Sequence, residues 1–599
     1  MCGIAGEIRQ PSQMVDAERL ERMSAALARR GPDGQGIWTE GQAGFVHRRL
    51  SIIDLSDGGH QPMVSADGRY AITFNGEIYN YRELREQLTE SKEQFRSTSD
   101  TEVLLVMYAK EGEKMLEKVH GMFAFAIWDN VEKKLFFARD RIGKKPFFYR
   151  ANSESFLFAS ELKALGTVEK LEIDEESIKL FLGLQYVPSP RTGFKNILSL
   201  EPGMCGTWKD GVLELNKYST GIAPSKVSFE EATLEVRKRL KESVRLRLIA
   251  DVPIGIFLSG GIDSSAVAAL AKEQGAKLSS FTLGFDEAKF DERDQAAELA
   301  KKFGFEHHSF VAKPEDLLAI ADEVIKHYDA PFADSSSLNT WILARETKKH
   351  VKAVLTGDGG DELFGGYRRY GYYEKALRIH RMGLGWLAIN ISWLMSSITR
   401  DPRYRRFAET LEGLRKSNAE GYARLFLGAY FDTPEARAFI VSRFRTDIDP
   451  IAAAMDFDLH SYLLDDLNVK MDRATMAHGL EARCPLLDQD LVAYVTSLSV
   501  EYRYNKAKKK ALLVDAVKDL LPAEVGQRPK RGFQVPLATW FRGALRPAFI
   551  ERCVQSTKLH AYVGRDKVEQ LLKENDLGSD HGNRLWMLYS LATWLEQYG

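Results

Sequence analysis

Two stretches in the second half of the chain restrict its fold more than any other feature. In FLSGGIDSSAV (257–267) and LTGDGGDELFGGY (355–367), an apolar run passes through glycines into a helical pattern. KLSSFTLGF (277–285) adds a further strand between them. Strands separated by helices cannot pair as tight hairpins, because parallel neighbours need long crossovers. The alternation therefore specifies a parallel sheet with helices packed on it. Ligands of such sheets bind beyond the carboxyl ends of the strands, which is where both glycine turns fall.

The residues in the turns indicate the kind of ligand. Hydroxyls and amides at a helix N-terminus collect unpaired N–H groups and a partial positive charge, so they bind anions. SGGIDSS lacks the lysine of the GxxxxGK[ST] loop, which argues against γ-phosphate transfer. Asp263 beside a phosphate requires an intervening cation, and Mg²⁺ is the natural bridge. Asp358, Asp361 and Glu362 crowd the second turn. Their spacing does not match a calcium loop, so the two turns together define one expected nucleotide pocket.

The first 210 residues follow a different pattern. GFVHRRLSIIDL, RYAITFNGEIYNY, GMFAFAIWDN, KLFFARDRIG and SFLFASELKAL read as strands, with helical patterns in DAERLERMSAALARR and DTEVLLVMYAKEG. This is an α+β domain built on sheet layers. NKYSTGIAPSKV (216–227) is the best linker, and Ser228 with Glu231 marks a capped helix just beyond it. Beyond about residue 365 the pattern is mainly helical. With 599 residues, too many for one core, two domains are expected, 1–215 and 225–599.

A net charge of −1 gives no field to recruit nucleic acid. Four scattered cysteines offer neither a disulfide framework nor metal spacing. No basic-then-apolar leader opens the chain, so a cytoplasmic location is expected. MGLGWLAINISWLMSSIT (382–399) is uncharged and long enough to span a bilayer. Its serines, glycines and Asn390 favour a buried or partner-facing helix instead, with no membrane contact.

Cys2 lies directly behind the initiator methionine. Alone it is as readily an accident of composition as a nucleophile. With Met1 removed, however, its α-amine, of pKa about 7.7–8.0, could serve as general base to its own thiol.

Taken in order, MCGIAG, RRGPDGQG, HRRLSIIDL, QPM, FNGEIYNY, SDTE, GMFAFAIWD, ARDRIGKKPFFY, SELKAL, SGGIDSS, GDGGDELFGGY, LEARCPLLD and RPKRGFQVPL give the chain a resemblance to the glutamine-hydrolysing asparagine synthetase family. The resemblance covers nearly everything except an insert at about 375–450. It implies an αββα glutaminase of the N-terminal-nucleophile type fused to an ATP-pyrophosphatase domain. Cys2 would attack glutamine, with Asn75 and Gly76 as oxyanion donors. Arg49, Leu50, Ile53, Glu77 and Asp100 would complete the glutamine site. ATP would contact Leu258, Ser259, Gly260, Gly261, Asp263, Ser264, Ser265, Leu283, Thr356 and Gly357, with Mg²⁺ on Asp263 and Asp361. Asp358 and Lys510 would be catalytic, although Lys508 and Lys509 compete for the lysine's register. Asp472 and Arg473 would approach the acceptor acid. The family passes ammonia through an internal tunnel, which GMFAFAIW could line or could simply flank as core.

The implied reaction is adenylation of a carboxylate with loss of pyrophosphate, followed by amidation. Two departures bear on the acceptor: Asp358 stands where well-known members carry glutamate, and YDAPFADSSSLNTWILAR differs from their threonine-rich segment. Free aspartate is the leading acceptor, with a sugar uronate or a peptide or antibiotic precursor as the alternative. The resemblance allows a homodimer, but the sequence does not set the oligomeric state.

Overall fold

The computed structural model describes every residue except Met1, Lys92, 220–222, 286–290, Arg400 and 528–534. Most of the RPKRGFQVPL motif and the centre of the linker candidate thus lie outside the described residues.

The N-terminal part stacks two antiparallel sheets. One has the order Leu198–Ser199, Phe148–Ala151, Ser155–Ala159, Gly3–Arg9, Ala43–Arg49, Gly34–Glu40; the other runs Val212–Lys217, Met204–Lys209, Lys134–Arg139, Gly121–Asp129, Tyr70–Ile78, Met63–Val64. Strand alternation explains the layering. Ile4, Ile8 and Phe45 meet Ala124, Ala126 and Trp128 between the sheets. From the opposite faces, Ala5, Val46 and Leu157 pack on Leu20 and Met23 of the helix Ala17–Ala26. Phe123, Phe125 and Ile127 pack on Val103, Leu104 and Met107 of Asp100–Glu111. GMFAFAIW is therefore core on both faces: alanines fit between the sheets and larger residues lie under the helix layer.

The second part begins with the helix Phe229–Arg247. Ser228 and Glu231 form a reciprocal capping box at its start, and Arg245 and Arg247 complement the dipole at its end. A five-stranded, all-parallel sheet follows in the order Glu306–Val311, Ser279–Gly284, Ile254–Phe257, Ala353–Leu355, Glu481–Arg483. Ile254–Phe257 comes first in sequence and lies in the middle, so the strand order reverses between it and Ala353–Leu355. A crevice opens at such a reversal, and both glycine turns leave from it. Helices Arg368–Arg381, Gly385–Thr399, Pro402–Leu414, Asn418–Leu427 and Pro434–Arg443 form the insert. No described helix is long and apolar enough to cross a membrane.

Candidate active sites

The first site lies at the end of the strand Gly3–Arg9. Cys2 lines a small pocket with Arg49, Leu50, Ile53, Gly76, Glu77 and Asp100. Asn75 is fully buried beside it, and its Oδ1 accepts the Cys2 backbone N–H at 2.9 Å. The Asn75 Nδ2 has no hydrogen-bond partner. Such a buried, unsatisfied donor next to a thiol is suited to a negative charge that appears only during reaction. Arg49 extends from the end of Ala43–Arg49 and donates to the carbonyls of Ser56, at 2.9 Å, and Asp54. Asp100 opens the helix Asp100–Glu111, but the capping side chain is that of Ser99. The Asp100 carboxylate instead accepts from the Ile78 N–H at 2.9 Å, and burial pushes its pKa up to about 6. Burial, then Glu481, raises Glu77 well above the usual carboxylate range, against the pull of Arg483 at 3.3 Å. Burial likewise raises the Cys2 thiol, opposed in part by Arg49.

The second site is a chamber of about 470 Å³ at the sheet's reversal. Leu258, Ser259, Asp263, Ser264, Leu283, Thr356, Gly357, Asp358 and Asp361 line it. Gly260, Gly261 and Ser265 do not; they build the turn behind its wall. Gly261 is the N-cap of Ile262–Glu273, and the Ser265 hydroxyl donates to the Gly261 carbonyl at 2.7 Å. Gly357 is needed for close approach, since a Cβ there would stand 2.6 Å from the Ser264 nitrogen. The Thr356 hydroxyl donates to Asp358 at 2.7 Å.

The structure separates the three lysines. Lys508 pairs with Asp515 at the surface, and Lys509 is exposed. Lys510, in the left-handed region at φ 52°, turns inward and contacts Asp263 at 2.5 Å and Asp361 at 2.8 Å. Burial depresses its pKa, and the two carboxylates more than offset this. Two carboxylates converging on one cationic point are also a donor set that suits Mg²⁺.

Asp472 and Arg473 line neither site. Arg30 of the N-terminal part grips Asp472 through two bonds, at 2.8 and 3.1 Å, contacts Glu161 at 3.1 Å and donates to the Cys2 carbonyl at 3.1 Å. Arg473 contacts Glu161 at 2.9 Å. All four side chains are buried, and Asp472 and Arg473 border a cavity of about 60 Å³ between the two parts. Two residues of this segment, Lys470 and Met471, do reach the chamber, and Lys470 lies 2.9 Å from both Asp334 and the Ser336 hydroxyl. Sequence reasoning missed Lys470, Asp334 and Gln185, the last of which also lines the chamber. The unusual YDAPFADSSS segment was the one signal available for Asp334.

Residues 235–596 match the family described as asparagine synthase, and residues 1–219 match the glutamine amidotransferase domain. Asparagine synthetase [glutamine-hydrolyzing] 1 of Bacillus subtilis (strain 168) is 34% identical over 99% of this chain and 96% of its own length. A putative asparagine synthetase [glutamine-hydrolyzing] of Mycobacterium bovis is also 34% identical, over 99% and 97%. Asparagine synthetase [glutamine-hydrolyzing] 3 of B. subtilis is 30% identical over 96% and 93%.

Proposed function

This chain belongs to the glutamine-hydrolysing asparagine synthetase family, and from that premise we propose how its residues divide the work between a glutaminase domain, 1–215, and a synthetase domain, 225–599. Arg49 holds the glutamine α-carboxylate as a guanidinium fork, and Asp100 with Glu77 holds the α-ammonium. Leu50 and Ile53 flank the substrate. The freed α-amine of Cys2 takes the thiol proton, and sulfur attacks the carboxamide carbon. The Asn75 Nδ2 and the Gly76 N–H receive the developing oxyanion. The same amine returns its proton to the leaving ammonia, and water then releases glutamate from the thioester.

In the chamber, an aspartate side-chain carboxylate attacks the α-phosphorus of ATP and pyrophosphate departs. A free carboxylate resists ammonia through resonance and charge; the mixed anhydride with AMP does not. Ser259, Ser264 and the N-terminus of Ile262–Glu273 bind the departing pyrophosphate, while Leu258, Leu283 and Gly357 contact the nucleoside. Lys510 stabilises the negative charge of the adenylation step. Asp263 and Asp361 would hold Mg²⁺, which supplies neutralisation of phosphate charge when bound. Asp358 takes a proton from the adding ammonia. Lys470 and Asp334, rather than Asp472 and Arg473, hold the acceptor.

The observation that carries this reading is the meeting of both strand-end turns at Lys510, which contacts one carboxylate from each. A second reading, the same chemistry on a larger carboxylic acid, draws on the continuation of the chamber past Lys470 to Tyr430, Tyr462 and Asn583. Pyrophosphate release measured over a panel of carboxylic acids tests both. Release with aspartate, accompanied by AMP, supports the first, and release only with bulkier acids supports the second. Formation of ADP and phosphate overturns both.

A further inference from the structure

Gln185 belongs to the N-terminal part, yet it lines the chamber of the second. It caps the helix Glu175–Leu184, donating its N–H to the Phe181 carbonyl at 2.8 Å, with φ at 69°. Helices commonly close this left-handed position with glycine or asparagine, and a longer side chain held there points to a use for it. Two contacts between the parts keep it in place. The Ala333 N–H donates to the Gln185 carbonyl at 2.9 Å, and Tyr186 pairs with Phe332 as an antiparallel bridge. Gln185 is thereby fastened to the backbone that runs directly into Asp334.

Its side-chain amide has a defined orientation. Nε2 donates to Oδ2 of the buried Asp466 at 2.5 Å. The other Asp466 oxygen accepts no hydrogen bond, and burial, then Asp334, raises this acid well above the usual carboxylate range. Asp466 therefore carries its proton on Oδ1, toward Asp334, and presents Oδ2 to the amide nitrogen. The Gln185 Oε1, which no described residue engages, is left for the occupant of the chamber. Asp334 is committed elsewhere: Oδ1 accepts from the Ser336 N–H at 2.9 Å and its hydroxyl at 2.8 Å, and Oδ2 accepts from Lys470. Lys470 has three donors. Asp334 and the Ser336 hydroxyl take two, and no described residue takes the third. This end of the chamber thus offers one cationic donor and one neutral carbonyl, with no net charge.

We propose that Gln185 sets the specificity of the acceptor site: its Oε1 accepts a hydrogen bond from the α-ammonium of an amino acid, while Lys470 takes the α-carboxylate. This rests on the acceptor reading given above and narrows it. The acceptor is a free α-amino acid with a second carboxylate. A uronate has no ammonium to offer, and an aspartyl residue within a peptide has lost its own.

Succinate is aspartate without its ammonium, so the ratio of kcat/KM for the two acids isolates this contact, and the fraction of folded enzyme cancels from it. Pyrophosphate release with ammonia as nitrogen source gives the ratio, succinate being read as substrate or as competitor of aspartate. Wild type should favour aspartate. Gln185→Gly keeps the left-handed backbone and deletes the amide, and its ratio should fall about 10- to 100-fold, through KM for aspartate rather than kcat. Gln185→Asn also tolerates this backbone but reaches one methylene less far; its ratio should fall as well, and it decides the matter should Gln185→Gly not fold. A ratio unchanged in the variants, or a wild type that takes succinate as readily as aspartate, overturns the role of Gln185 and leaves aspartate as the acceptor. Release with a uronate and none with aspartate overturns the acceptor reading together with it.

Discussion

Replacing Asn75 by alanine separates the chemistry of the first site from its binding. Asn75 is fully buried, holds the Cys2 nitrogen at 2.9 Å and leaves Nδ2 unpaired. Leaving a buried donor unsatisfied costs about 1–3 kcal/mol, a cost compensated if the donor meets charge that develops during turnover. Losing one such donor typically lowers kcat by about 10²–10³, or about 2.7–4 kcal/mol. The lost hydrogen bond to Cys2 contributes about 0.5–1.5 kcal/mol more by loosening the nucleophile. At about 1.36 kcal/mol per decade, glutamine turnover by Asn75→Ala should fall by roughly two to four orders of magnitude. KM for glutamine should change little, because Arg49 and Asp100 remain. Glutamate release gives kcat and KM directly, and synthesis from added ammonia gives an internal control that should be unaffected. A loss below about tenfold, or an equal loss of ammonia-dependent synthesis, would refute the oxyanion role and leave Asn75 as a structural residue.

Three further expectations concern the other charged groups. Lys510→Met should lower pyrophosphate release by at least about 10² with either nitrogen source while glutamate release persists, and Lys509→Met should retain full activity; equal losses in the two variants would contradict the assignment to Lys510. Asp100, raised by burial to about 6, must be ionised to hold an ammonium, so glutamine binding should weaken as pH falls through that value. In a Cys2→Ala background, calorimetry should find Kd at least about tenfold higher at pH 5 than at pH 7, and Asp100→Asn should remove the part of the dependence centred near 6, leaving that of Glu77; a flat profile in the parent contradicts the assignment. Arg30→Met leaves Asp472 with Lys145 at 4.0 Å and Glu161 with Lys163 at 2.6 Å, so destabilisation should fall near the lower end of about 3–5 kcal/mol for a broken buried pair. Glutamate formed per amide product should rise above one as the two parts lose register, and an unchanged ratio would refute that coupling.

What could be read in the sequence depended on how local each feature is. The turns SGGIDSS and GDGGDE are contiguous, and their position after apolar strands fixes where they point, so the chamber's main wall was legible. The Cys2 pocket draws residues from four segments, and only the ordered set of motifs joined them. Side-chain direction was harder to read. Lys510 differs from Lys508 and Lys509 through one left-handed residue that turns it inward. In the helix Asn468–Met476, successive residues rotate by about 100°. Lys470 therefore faces the chamber, while Asp472 and Arg473 point to the buried ion cluster between the two parts. The link from Glu77 to Arg483, which joins the first pocket to the strand at the edge of the parallel sheet, carries no sequence signal, because its partners lie about 400 residues apart.

The central claim is that one polypeptide frees nitrogen in one pocket and delivers it to an acid activated in the other. Turnover with amide-¹⁵N glutamine, aspartate and ATP in a bath of unlabelled ammonium tests it most directly. Asparagine carrying ¹⁵N, with one AMP and one pyrophosphate formed per amide, is the predicted outcome. Product labelled only from the bath, or ADP and phosphate in place of AMP and pyrophosphate, would contradict it.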